Sequence, residues 1–203
     1  MSSAVHPPPS LGLDNRKFGM WAFIASDVPF FAVLIANFLF LSKLDPVGTF
    51  HNLEGAIVPG RELLNIPLTA LNTFILLTSS FTVVIALEAI RKGEQFKFRV
   101  ALLTTGLFGT FFISVQIFEY YKLIFEEGLS MSSLFGASFF TLTGFHGAHV
   151  IGGLIWLAII LFKAFGVMGG FSAKDNLGIE LFGLYWHFVD IVWLLLFSLV
   201  YLI

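Results

Sequence analysis

Five long apolar stretches divide this 203-residue chain, and they limit what it can fold into. A helix needs about 20 mostly apolar residues to cross the hydrocarbon core of a bilayer, and each stretch is longer than that. We therefore predict an all-α membrane protein, a bundle of five transmembrane helices at about residues 18–41, 66–90, 100–125, 135–162 and 179–202. Residues 16–203 would form one transmembrane domain, and residues 1–15 a polar, proline-rich arm.

The composition excludes several classes of protein. A hydrophobic content of 57% and a mean hydropathy of +0.90 exceed what soluble domains show. There is no cysteine, so neither disulfides nor thiolate metal sites are expected. A net charge of −2 argues against nucleic-acid binding. The amino terminus lacks the basic and short apolar regions of a cleaved signal peptide.

Lysine and arginine in the short loops predict the orientation, because cytoplasmic loops carry the excess of positive charge. Three basic residues fall on one side of the membrane, Lys43, Arg61 and Lys122. The other side has eight: Arg16, Lys17, Arg91, Lys92, Lys97, Arg99, Lys163 and Lys174. We therefore expect a cytoplasmic amino terminus and a periplasmic or external carboxyl terminus.

The segment GFHGAHVIGG, residues 144–153, places His146 and His149 inside the fourth apolar stretch. An ionisable side chain at bilayer depth costs roughly 2.5–3.5 kcal/mol on insertion scales, so it usually faces protein and has a function. Two histidines three residues apart can share a haem or a metal, but metal sites usually need three or four ligands. Only His187 and Asp190 lie at similar depth. The preferred interpretation is a neutral histidine hydrogen-bonded to another helix, with bis-histidine haem ligation as the alternative.

Acidic side chains add a second group of candidates. One face of the fifth helix carries four residues in line: Glu180, Gly183, His187 and Asp190. They form either a buried hydrogen-bond network that holds the helices in register or a proton relay. Asp27, two residues before Pro29, is either a proton-exchanging acid near a proton entrance or a neutral hydrogen-bonded carboxyl. Counting along the helices places Asp27, His149, His187 and Asp190 in the inner half or middle of the bilayer, and Glu180 near a cytoplasmic helix end.

Other polar residues suggest contacts between helices. Glu119, beside Gln116 on the third helix, is predicted to be structural and to lie towards the outer side. The second helix has a polar stripe, and the fourth a face of small residues that permits close approach by a neighbour. The stripe comprises Asn65, Thr69, Asn72 and Ser79, and the small-residue face Gly144, Ala148 and Gly152. No phosphate-binding loop, HExxH motif or serine nucleophile is recognisable, so no catalytic residue and no metal ligand is predicted.

Two segments carry a family resemblance. FGASFFTLTGFHGAHVIGG, residues 135–153, and LYWHFVDIVWLLLF, residues 184–197, resemble the signatures of subunit III of haem–copper oxidases, the cytochrome c oxidase family. QIFEYYKL, FGMWAFIASDVPFF and IPLTALNTFILLTSS are similar to further segments of that family, and the resemblance covers nearly everything after residue 16.

The resemblance implies a non-catalytic subunit of a proton-pumping terminal oxidase that reduces oxygen to water. Haems and copper are then expected in partner subunits and not in this chain. Subunit I would be the direct partner, with subunit II, small subunits and a respiratory supercomplex as further ones. The chain would stabilise subunit I, support its proton uptake and bind phospholipid. By position, Lys163 matches a family residue that contacts lipid head groups, and a plain positive-inside anchor explains it equally well.

Two departures from the family pattern matter. Larger members have seven helices, and this chain starts at the equivalent of the third, as short bacterial subunits do; a bacterial plasma membrane is implied. The usual Ser-Glu of the first matched helix is Ser-Asp here, so the acid linked to proton traffic corresponds to Asp27. Alternatives are an accessory subunit of a quinol oxidase or nitric oxide reductase, a stand-alone membrane haem or metal protein, and a proton transporter.

Overall fold

The computed structural model describes residues 14–45, 47–166 and 176–202. Within these residues it has five helices long and apolar enough to cross a membrane, which confirms the predicted number. They are α1 (Asn15–Leu44), α2 (Ile66–Arg91), α3 (Gln95–Tyr121), α4 (Leu134–Ala164) and α5 (Leu177–Leu196). Most of the predicted arm, and Lys174, lie outside the described residues.

Local sequence signals fix where several helices begin. Asp14 accepts a hydrogen bond from the Arg16 amide over 2.9 Å at the start of α1. At the start of α2, the Asn65 side chain accepts a hydrogen bond from the Leu68 amide over 3.1 Å. At the start of α4, the Ser133 hydroxyl accepts one from the Gly136 amide over 3.0 Å. Such caps satisfy amides that have no partner inside the helix. At their other ends, α3 and α5 each continue into a π-helical turn, Lys122–Glu126 and Phe197–Tyr201.

A small hairpin lies between α1 and α2, where the sequence predicted only a loop. Strands β1 (Thr49–His51) and β2 (Ile57–Pro59) pair antiparallel, with Phe50 opposite Val58. The hairpin rests on Phe135 at the start of α4, because an added Cβ at Gly48 would lie 2.8 Å from that ring. Gly48 also has φ +70°, a conformation that favours glycine.

Asp45, the C-cap of α1, attaches the hairpin to that helix. Its carboxylate accepts hydrogen bonds from the Gly48 amide at 3.0 Å, the Thr49 amide at 2.6 Å and the Thr49 hydroxyl at 2.7 Å. Burial on its own would raise the pKa of Asp45, but these hydrogen bonds outweigh it and lower the pKa below its usual 3.8.

Helix α5 is the centre of the bundle. It contacts α1, α2 and α4, while α3 packs between α2 and α4, and α1 lies against α4 and α5. In the most apolar stretch of α5, 61% of residues are buried, against 11% in α1. Trp186 of α5 fits against Gly109 and Gly153, where an added Cβ would lie 3.0 and 2.6 Å from its ring.

The polar stripe predicted on α2 is largely buried and joins the helices. Thr69, Asn72 and Ser79 are each at most 3% exposed. The Asn72 amide donates to the Phe112 carbonyl of α3 over 3.1 Å. From α5, the indoles of Trp186 and Trp193 donate to the hydroxyls of Ser79 and Thr73 over 2.8 and 2.9 Å. In lipid, hydrogen bonds of this kind hold neighbouring helices together.

Candidate functional site

Asp27 of α1 and His149 of α4 form an ion-pairing contact at bilayer depth. The Nε2 atom of His149 lies 3.1 Å from Oδ2 of Asp27, and their side chains are 18% and 15% exposed. Asp27 is about 18 Å along α1 from its first residue, at about 1.5 Å per residue, in the middle part of that helix. The sequence named both residues but did not predict that they pair.

The other ring nitrogen of His149, Nδ1, indicates which ring atoms carry a hydrogen. Its Nδ1 atom lies 2.7 Å from the Phe145 carbonyl oxygen, which can only accept, so Nδ1 carries a hydrogen. A proton bound between the two side chains lies either on Nε2, facing a carboxylate, or on the carboxyl group, facing a neutral imidazole. Both arrangements have zero net charge: the first is a compensated ion pair and the second a neutral hydrogen bond.

Helix α5 closes the third side of this pair. The Tyr185 hydroxyl donates to the His149 backbone carbonyl over 2.7 Å. The Phe31 ring lies against the His149 imidazole, with 5.0 Å between centroids, and Phe188 lies 6.4 Å from Phe31. Three helices therefore hold the Asp27–His149 pair in a mainly aromatic setting.

His187 and Asp190 face α2, and do not reach the fourth-helix histidines. The Ser80 hydroxyl lies 2.6 Å from Nδ1 of His187. Ser80 is also next to the Asp190 carboxyl, but no hydrogen bond of good geometry joins them, and neither carboxyl oxygen has a partner among the described residues. Asp190 is 3% exposed.

His146 differs from its predicted setting. It is fully buried, yet neither ring nitrogen has a hydrogen-bond partner among the described residues. Its imidazole instead stacks on the Trp193 indole and meets the edge of Phe112. The expected hydrogen bond to another helix is therefore not made, because the facing side chains are aromatic rings.

Glu119 and Gln116 of α3 connect several helices near the predicted outer side. The Glu119 carboxylate accepts from the Thr69 hydroxyl at 3.3 Å and the Tyr201 hydroxyl at 3.2 Å. The Gln116 amide donates to the Thr143 carbonyl of α4 over 2.9 Å. Both residues thus have the helix-joining contacts expected of structural groups.

Glu180, at the start of α5, lies between two basic side chains. Its Oε1 atom is 2.9 Å from Nζ of Lys17 and 3.9 Å from Nη2 of Arg91, so it joins three helix ends. Lys163 is half-buried in the last turn of α4, and it has an interaction partner in this chain. Arg99, which sequence reasoning did not single out, donates from Nε to the Ala164 carbonyl over 2.9 Å and caps α4.

Two further features decide what the arrangement can do chemically. In the described parts of the chain, no three histidine or acidic side chains come close enough to hold a metal ion. An apolar groove of about 380 Å³ lies between α1 and α5. It could not be predicted from the sequence, because its lining residues have the same apolar character as lipid-facing residues. Its lining residues are Val28, Phe31, Ala32, Ile35, Phe188, Ile191, Val192 and Leu195.

Comparison with known proteins decides the family. The family described as "Cytochrome c oxidase subunit III" matches residues 11–203, which is nearly the whole chain. The chain belongs to this family. The resemblance carried by residues 135–153 and 184–197 is therefore confirmed, and the chain is a multi-pass membrane protein of the haem–copper oxidase subunit III type.

Relatives of this subunit III come from two kinds of oxidase. "Probable cytochrome c oxidase subunit 3" of Rickettsia conorii is 40% identical over 196 residues, which are 92% of this chain and 66% of the relative. "Cytochrome c oxidase subunit 3" of Bacillus subtilis is 33% identical over 93% of this chain and 86% of its own length. "Cytochrome bo(3) ubiquinol oxidase subunit 3" of Pseudomonas aeruginosa is 34% identical, covering 93% and 85%. The chain thus spans slightly less than two thirds of the Rickettsia protein.

Proposed function

We propose that this chain is a non-catalytic subunit of a bacterial terminal oxidase that reduces oxygen to water and pumps protons. It lies in the plasma membrane with its amino terminus cytoplasmic and its carboxyl terminus periplasmic. The haems and copper belong to partner subunits, and this chain binds and stabilises subunit I, with subunit II as a further neighbour. Family membership and the excess of basic residues on one side of the bundle support this assignment.

The Asp27–His149 pair is the observation that carries the functional proposal. It lies on a membrane-spanning helix, it can bind a proton between its two side chains, and it is partly exposed rather than sealed. These properties suit a group that takes up a proton and passes it on, because the protonated pair has zero net charge and the charged carboxylate that remains after release is partly exposed. Asp27 therefore supports proton uptake by the neighbouring redox subunit, and His149 holds its carboxyl in place.

Phospholipid binding is the second part of the proposal. The α1–α5 groove is lined by apolar side chains from both helices and suits an acyl chain. Lys163, at the predicted cytoplasmic end of α4, suits an anionic head group of the cytoplasmic leaflet, at a position separate from the groove. Bound lipid would then fill the groove and help to hold α1 against the bundle.

The test uses the purified oxidase complex that contains this chain. Asp27→Asn keeps the shape and a hydrogen bond to Nε2 of His149 but cannot release a proton. We expect the complex to assemble and to show slower oxygen consumption or a shorter active life under prolonged turnover. Ser114→Ala on α3 is the control, since among the described residues its hydroxyl bonds only to the Thr110 carbonyl of its own helix. Equal rates and lifetimes for wild type and Asp27→Asn would overturn the proton role.

The electron donor defines a second candidate function. The relatives include a cytochrome c oxidase subunit from Bacillus and a ubiquinol oxidase subunit from Pseudomonas at nearly equal identity. Subunit III of a quinol oxidase is therefore the alternative assignment. Oxidation of reduced cytochrome c by the purified complex supports the first assignment, and oxidation of a quinol without cytochrome c supports the second.

A further inference from the structure

Helix α1 has two opposite faces with different surroundings. One packs on α4 and α5 through Asp27, Phe31 and Phe38. The opposite face, here called the open face, is exposed along its whole length. At 100° per residue its members point within about 60° of one direction, away from the bundle. They are Ala22, Ser26, Pro29, Val33, Ala36, Asn37 and Phe40.

The amide of Asn37 is the unusual group on the open face. Several exposed or half-exposed hydroxyls in the spans bond to a carbonyl of their own helix, namely those of Ser26, Thr78, Thr104, Ser114 and Ser198. Asn37 makes no hydrogen bond within the described parts of the chain. An amide has two N–H donors and a carbonyl acceptor, and none of them is satisfied by the described residues.

The depth of Asn37 makes an unpaired amide costly. It lies about 10 Å along α1 from the last helical residue, at about 1.5 Å per residue. A helix of 30 residues is about 45 Å long and exceeds a hydrocarbon core of about 30 Å, so its ends project while Asn37 stays inside. Its side chain is too short to reach the head groups as lysine does. Polar side chains in such positions typically bond to another helix.

We propose that the open face of α1 docks against a membrane-spanning helix of another subunit of the same oxidase, which presents a hydrogen-bonding side chain to Asn37. The inference rests on the proposed function for the existence of that complex. Electrostatic complementarity favours a protein helix over an acyl chain, which has no group to pair with the amide. The small side chains of Ala22, Ser26 and Ala36 allow close approach of a second backbone. The entirely apolar α1–α5 groove lacks such a polar group.

A photo-cross-linking experiment in native membranes tests the contact. A photoreactive phenylalanine analogue replaces Val33 on the open face, and in a control chain it replaces Leu107, which is 69% exposed on α3. We expect Val33 to give a protein adduct whose mass spectrum identifies a transmembrane peptide of another oxidase subunit, and Leu107 to give lipid adducts. Adducts at Val33 only with lipid, or with a second copy of this chain, would overturn the inference.

A substitution experiment tests the role of the amide itself. Asn37→Leu removes it without touching the packing of this chain, because Asn37 is exposed. In mild detergent we expect the association constant between this chain and the rest of the oxidase to fall about three- to tenfold, the usual size for one hydrogen bond between helices. Thr78→Val, which removes an exposed hydroxyl bonded within α2, should leave that constant unchanged. An unchanged constant for Asn37→Leu would contradict the inference.

The two proposals fail in different ways. If the chain co-purifies with the redox subunits while Val33 gives lipid adducts only, the docking face is wrong and the proposed function stands. If the chain purifies without any redox subunit from gently solubilised membranes, the proposed function is wrong, whatever Val33 cross-links to.

Discussion

His146 lies flat against Trp193, with 4.8 Å between ring centroids and 28° between ring planes. At this point α4 meets α5 through an aromatic stack instead of a polar bond. The indole also donates to Thr73 of α2, so one side chain connects three helices. The imidazole contributes mainly volume and ring contact, since its nitrogens have no partner among the described residues.

His146→Leu should therefore be tolerated. Leucine has a similar volume and removes two buried nitrogens that lack partners, while the aromatic contact it loses is worth about 0.5–1.5 kcal/mol. We expect the free energy of unfolding of the isolated chain in detergent to change by less than about 1.5 kcal/mol, as for other volume-conserving substitutions. A loss above about 3 kcal/mol would show that the nitrogens have a partner not described above.

Replacing either of two neighbouring glycines of α4 by alanine should change the free energy of unfolding, but in opposite directions. At Gly153 an added Cβ would lie 2.6 Å from the Trp186 ring, so Gly153→Ala must displace a buried indole and should cost about 1–3 kcal/mol. At Gly152 the nearest atom would be 3.5 Å away, so Gly152→Ala should gain the roughly 0.5–1 kcal/mol that alanine has over glycine in a helix. Denaturation of both variants in one detergent measures the difference. Equal stabilities would mean that Trp186 can move freely.

Glu119→Ala should weaken the outer end of the bundle. It leaves the Tyr201 hydroxyl without its acceptor in a buried site, which costs about 1–3 kcal/mol. The Thr69 hydroxyl is less affected, because it also donates to the Asn65 carbonyl. Hydrogen exchange at the end of α5 should become faster. Glu126→Ala, on the exposed side of the same helix end, is the control and should leave exchange unchanged.

Acid should release the β1–β2 hairpin from α1 through Asp45. Hydrogen bonds lower the pKa of Asp45 in the folded state. The stabilisation is therefore complete above about pH 3.8 and is lost as the pH falls through the lower pKa of the folded state. The amide resonances of Gly48 and Thr49 should therefore titrate with a midpoint below 3.8, and Asp45→Asn should abolish the titration. A midpoint above 3.8 would mean that burial outweighs the hydrogen bonds.

The sequence predicted the spans and the polar stripe of α2 because both depend on local patterns. Runs of about 20 apolar residues have one stable form in a membrane, and Thr69, Asn72 and Ser79 recur at helical spacing. It could not predict that Asp27 meets His149, 122 positions away, since spacing along one helix says nothing about which helix lies opposite. Nor could it choose between the glycine faces of α4. The faces around Gly152 and Gly153 are equally apolar, and only the Trp186 ring distinguishes them.

The most enclosed of the described helices is also the last to leave the ribosome. Before α5 is inserted, Thr73 and Ser79 have no indole to bond with, and Gly109 and Gly153 border a gap where Trp186 belongs. The first four spans bond to one another without α5, yet they lack the contacts that its indoles supply. Quality control in the cell would then depend on the insertion of α5, because its failure would leave Thr73 and Ser79 of α2 without their indole partners.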